Sequence, residues 1–85
     1  MMATWTVSEN GRFGDGSTVR HNLTLEGQIV GEFDYLAAQA YVIQHGKPDD
    51  TYIEEYEGNN PPVTVTVQTV LDGERKWQEF LDSHQ

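Results

Sequence analysis

The segment FDYLAAQAYVIQHGKP, residues 33–48, has no Asp, Glu, Lys or Arg between Tyr35 and His45 and then runs into an acidic stretch, Asp49 to Glu57. Leu36, Ala37, Ala40 and Ile43, with Tyr41 at the margin, recur at the three-and-four spacing of one helical face. This predicts a helix with that face turned to the core. Asp34 suits the N-cap, where its carboxylate accepts first-turn N–H groups, and Gly46 suits a left-handed C′ position with Pro48 forbidding continuation. Tyr35, Ala38 and Val42 form a second apolar stripe, which leaves Gln39, Gln44 and His45 as the polar positions. That stripe is expected either beneath another part of the sheet or at a homodimer interface, since left exposed it invites association.

On the N-terminal side, Thr4-Trp5-Thr6-Val7-Ser8 alternates apolar and hydroxylated residues and predicts a first strand with Trp5 and Val7 on one face. Gly11 to Ser17 contains three glycines and reads as a loop. A phosphate cradle there would have to open directly into a helix. The loop leads instead into a second strand, Thr18 to Leu25, where Val19, His21, Leu23 and Leu25 alternate with polar residues. Glu26-Gly27-Gln28 turns into Ile29 to Phe33, a short third strand or an extended lead into the helix, with hairpin pairing to the second strand the simplest arrangement. On the C-terminal side, Thr51 to Glu57 reads as a strand with Tyr52 and Tyr56 on one side, or as a continuing acidic loop. Gly58 to Pro62 is a loop.

Val63 to Val70 is rich in β-branched residues and predicts the strongest strand, in the middle of the sheet. Asp72-Gly73 leaves two continuations open. It suits a hairpin turn, yet Trp77, Phe80 and Leu81 are spaced for a helix with Asp72 as N-cap. The last residues, Asp82 to Gln85, are expected to fray. The fold class is therefore α+β: a mostly antiparallel sheet of four to six strands on one central helix, in the order β-β-β-α-β-β, closed by a short helix or strand over residues 73–83. Stability should rest on Trp5, Leu36, Ile43, Val65 and Trp77.

Eighty-five residues make one small domain, residues 1–85, that buries only roughly 60% of the surface its unfolded chain exposes. An apolar share of 36%, with two Trp, four Tyr and three Phe in periodic segments, argues for a packed core over disorder. There is no cysteine, which removes disulfides, thiolate metal sites and thiol nucleophiles. Met1 to Trp5 has neither a basic nor a continuous apolar leader region, and no apolar run approaches the ~18 residues of a membrane span. A soluble, cytoplasmic protein is the expectation.

Fourteen acids against five bases give a net charge of −9, which repels phosphate backbones and anionic lipid, so direct nucleic-acid and membrane binding are disfavoured. No cofactor motif is present. Ser8, Ser17 and Ser83 lie outside any nucleophile elbow, and His21, His45 and His84 have no zinc-motif spacing, so a non-catalytic protein is expected. His45 at the helix end suits the helix dipole. The acids of residues 49–57 could offer oxygen ligands to Ca²⁺ or Mg²⁺, but their spacing fits no EF-hand and a solvated acidic face is the simpler alternative.

Asp49, Asp50, Glu54, Glu55 and Glu57, with Tyr52 and Tyr56 among them, form a candidate docking face for a basic protein surface, because carboxylates beside rigid tyrosines occupy Arg- and Lys-rich grooves that otherwise receive phosphate. In size, charge and simplicity the chain is similar to small phage-encoded inhibitors of host nucleases and defence complexes, though no motif carries the likeness. The expected function is an acidic, non-catalytic inhibitor of a basic, nucleic-acid-binding surface. The alternative is a structural or assembly subunit that associates as a homodimer through Tyr35, Ala38 and Val42.

Overall fold

A computed structural model describes residues 2–14, 16 and 18–83. Asp15 and Ser17 of the glycine-rich loop and His84 and Gln85 of the tail lie outside the described residues. The elements are β1 (Thr4–Arg12), β2 (Val19–Leu25), β3 (Gln28–Phe33), α1 (Tyr35–His45), β4 (Thr51–Glu55), β5 (Val63–Thr66) and α2 (Val67–Ser83). The fold is α+β, with one five-stranded sheet in the order β3-β2-β1-β4-β5 and two helices.

Local chemistry accounts for the first half. Glu26 and Gly27 both take positive φ, +51° and +82°, the backbone that a tight hairpin between right-twisted strands requires, and β2 and β3 pair antiparallel across them. Asp34 caps α1 as anticipated, its carboxylate accepting the Ala37 N–H at 2.7 Å. Gly46 comes directly after the helix, but in an extended conformation (φ −82°) and not the left-handed one. Its missing side chain has another cause: a Cβ there would stand 2.7 Å from the Val42 carbonyl oxygen and 3.1 Å from Trp5 Nε1.

The sheet is mixed: three of its four pairings are antiparallel, as expected, and one is parallel. β1 pairs parallel with β4, Trp5 opposite Tyr52 and Val7 opposite Glu54. The crossover through β2, β3 and α1 is long enough to return the chain in the same direction, which no hairpin can do. Because β3 is antiparallel to β2, and β2 to β1, the strands β3, β1 and β4 all run the same way.

The buried face of α1 is the reverse of that expected. Ala38 and Val42 are 0% exposed beneath the sheet residues Trp5, Val7, Leu23 and Tyr52, whereas Leu36 is 74% exposed. The sheet presents large side chains, and the small Ala38 and Val42 are the α1 residues that pack against them. Tyr41 completes the packing, 5.6 Å from the Phe33 ring and 6.1 Å from the Trp5 ring. Of the two positions expected for the stripe, Ala38 and Val42 take the one beneath the sheet and have no surface left, while Tyr35 is 37% exposed with its hydroxyl turned to Glu54.

The Val63–Val70 segment divides. β5 stops after four residues at the sheet edge, and the chain turns helical at Val67. Thr66 is the cap, its Oγ1 accepting the Thr69 N–H at 3.3 Å, while the carbonyls of Asp50 and Pro48 take the N–H groups of Val67 and Gln68 at 2.9 and 3.0 Å. These tertiary acceptors override β-propensity. Asp72 therefore lies inside α2, bonded by Gln68 Nε2 at 2.8 Å, and α2 is a full 17-residue helix. Trp77, expected in the core, is 57% exposed. No helix among the described residues is long and apolar enough to cross a membrane.

The inversion of α1 is measurable by urea unfolding. Leu23→Ala should cost about 2–5 kcal/mol and Ala38→Leu about 1–3 kcal/mol by overpacking. Leu36→Ala should stay within about 0.5 kcal/mol of wild type. A Leu36→Ala loss as large as that of Leu23→Ala would restore the opposite packing.

Candidate protein-interaction surface

β4 turns Tyr52 and Glu54 toward the face that α1 covers, and Tyr56 follows just after the strand. Glu54 is 8% exposed and collects three hydroxyls: Tyr35 and Tyr52 donate to Oε1 at 2.6 and 2.7 Å, and Tyr56 donates to Oε2. Gln39 Nε2 donates in turn to the Tyr35 oxygen at 2.9 Å. Burial pushes the Glu54 carboxyl up, and the hydroxyls of Tyr35, Tyr56 and Tyr52 outweigh it, holding the group below the usual carboxylate range. Burial, and then the bond to Glu54, push Tyr35 and Tyr52 above the ordinary tyrosine range, so both remain donors.

Asp50 is 3% exposed and has a different role. Its Oδ1 accepts the Ala3 N–H at 3.0 Å, and its Oδ2 accepts the Lys47 N–H at 2.9 Å and the Trp5 indole N–H at 3.1 Å. The backbone N–H groups of Lys47 and Ala3, then the indole, lower its carboxyl against the opposing effect of burial.

Of the seven residues read as a docking face, Asp50, Tyr52 and Glu54 are therefore interior and closed to a partner. Asp49, Glu55 and Glu57 are exposed and Tyr56 is half-buried, but they do not form one surface with the rest. Glu55 and Glu57 gather with Glu9 where β1 and β4 run out. Ser8 Oγ donates to Glu55 at 2.7 Å, the Gly11 N–H to Glu57 at 2.8 Å, and the Glu57 N–H to Glu9 at 3.3 Å. His21, at the same end, is buried against the Tyr35 ring, with Nδ1 unpartnered among the described residues. Among those residues no three His, Asp or Glu side chains are placed to hold a metal ion.

The conspicuous surface lies on the other side of α1. Leu36, Ala40 and Ile43 face Val70, Gly73 and Trp77 of α2 across an open cleft of about 460 Å³. Phe80, 49% exposed, stacks on Trp77 with ring centres 5.5 Å apart. Leu36, Trp77, Phe80 and Leu81 leave on the order of 400 Å² of apolar side chain in water, a patch size that on a monomer is often functional. Of these, the helical spacing of Trp77, Phe80 and Leu81 was visible in sequence. The exposure of Trp77, expected in the core, was not.

The two interior carboxylates set the acid stability. Both titrate lower in the folded chain than the ~3.9 and ~4.3 of free Asp and Glu, so the folded state binds fewer protons and its advantage is complete above about pH 5. Stability should fall as pH drops through about 4 and on through the folded values. Asp50→Asn and Glu54→Gln should each flatten this limb in pH-dependent unfolding; an acid limb unchanged in both variants would contradict the assignment. Comparison with protein-family models, with curated proteins and with solved structures finds no match for this chain.

Proposed function

We propose that the chain is a non-catalytic protein-interaction module that docks through the apolar cleft between α1 and α2. The observation that carries this is the pair Leu36 and Trp77, both more than half exposed and both lining the cleft between α1 and α2, with Phe80 stacked on Trp77 beside it. Exposed aromatics beside a concave apolar surface are the composition of interface centres. The α1 wall of the cleft carries no charge, and among the described residues the one charged lining residue is Glu74 of α2.

A second reading, the inhibitor that covers a basic, nucleic-acid-binding surface, is favoured by the gathering of Glu9, Glu55 and Glu57 at one end of the sheet. It loses Asp50, Tyr52 and Glu54 as contact residues and retains the net charge of −9 as a source of electrostatic steering.

The two readings separate by salt and by mutation. With the chain immobilised and a lysate as source of partners, apolar docking should survive 0.5 M salt (roughly a 4–5 Å screening length) and be lost in a Leu36→Ser, Trp77→Ser double variant that still folds. Glu55→Lys with Glu57→Lys should leave it intact. Retention that disappears in salt and with the lysine pair, yet tolerates the serine pair, would replace the first reading with the second.

A further inference from the structure

Gly73 stands in the middle of α2, where glycine weakens a helix, and neither a turn nor a tight contact requires it: nothing lies within 4 Å of where its Cβ would be. It is a notch in the cleft wall. Seven residues on, two turns along the same side of the helix and roughly 10 Å away, Phe80 projects half-exposed beside Trp77. One helix face thus carries both a hole and a ring that could fill it.

We propose that the occupant of this face is a second copy of the chain, packed α2 against α2 in antiparallel fashion, with Phe80 of each copy seated over Gly73 of the other. This rests on the interaction reading above and names its partner. A twofold interface requires that a contact of residue i with j be repeated as j with i, and a notch and a ring on one helix satisfy that when the axis passes near Trp77. The same register sets Lys76 of each copy beside Glu79 of the other. Both residues lie on the Phe80 flank of the helix, and flanks of the same kind meet in an antiparallel pair.

Two chains of net charge −9 repel, and α2 itself carries four acids (Asp72, Glu74, Glu79, Asp82) against two bases (Arg75, Lys76), so the cross-pairs of Lys76 with Glu79 have that repulsion to offset. Among the described residues neither base forms an ion pair within its own chain. The apolar patch is about half of the ~800 Å² that each partner buries in a standard interface, so the polar flank must contribute and the dimer should be weak, with a Kd in the micromolar range.

The test is sedimentation equilibrium of the full chain up to concentrations on the order of 100 μM, with circular dichroism as the check on folding. Wild type should move from the 9.6 kDa chain mass toward twice that value. Gly73→Leu should raise thermal stability, by removing a helix glycine, yet leave the chain monomeric, an opposite pair of effects that a purely structural glycine would not give. Trp77→Glu should also give a folded monomer. Lys76→Glu and Glu79→Lys should each weaken the dimer at least several-fold, and the double swap should recover it. A wild type that remains at the single mass overturns the second-copy proposal; if the Leu36, Trp77 serine pair still abolishes retention of another protein, the interaction reading stands without it. A dimer indifferent to Gly73→Leu and Trp77→Glu overturns it as well, and indifferent retention in addition would sink both.

Discussion

The Asp50 carboxylate is the interaction on which the rest of the structure depends. An ionised group with almost no exposure is tolerable only where donors replace its water, and Asp50 has three, one each from the first residues of the chain, from the turn after α1, and from the Trp5 indole at the centre of the core. Its own carbonyl then receives Val67, the first residue of α2. One residue thus fixes the start of β1, the exit of α1, the start of β4 and the point where β5 gives way to a helix. Removing the carboxylate would strand up to three N–H groups at about 1–3 kcal/mol for each that stays buried.

Glu54 does at the other end of β4 what Asp50 does at its beginning. Three tyrosine hydroxyls from α1, β4 and the segment after it replace the water of a second interior carboxylate, and they tie the first turn of α1 to the sheet. The acidic run is therefore divided by the strand period: the residues at even spacing from Asp50 turn inward as structural anions, and Asp49, Glu55 and Glu57 stay in water. With Ala38 and Val42 under the sheet, Leu36 of α1 is left facing outward, and α2, whose Val67 is buried and whose Val70 packs on the core, leaves Trp77 and Phe80 half-exposed beside it.

Much of this was legible in the chain, and the parts that were not have identifiable causes. Asp34, the Glu26-Gly27 turn and the alternation around Trp5, Val7 and Leu23 are short-range signals, and each stands where the residues indicate. Which side of α1 is buried depends on the volume of side chains on β1, β2 and β4, distant in sequence, so its two apolar stripes could not be ranked. Val67 to Val70 has strand propensity, but its first N–H groups find acceptors on Asp50 and Pro48, which only the tertiary fold supplies. The parallel β1–β4 pairing is equally non-local. The interior position of Asp50 and Glu54 ran against the default that carboxylates face water, although the alternation Asp50, Tyr52, Glu54, Tyr56 did place the acids on the same side as the tyrosines.

Amide hydrogen exchange, read residue by residue, tests the central role of Asp50 most directly. The Ala3 and Lys47 amides lie outside any strand or helix ladder and, without the carboxylate, would exchange with the loops and terminus around them. If Asp50 organises the fold, these two amides, the Val67 amide and the Trp5 indole N–H should exchange only by global unfolding, as slowly as Leu23 in the central sheet, and all four should lose protection together in Asp50→Ala. Fast exchange at Ala3 and Lys47 in the wild-type chain, with Leu23 still protected, would contradict the account.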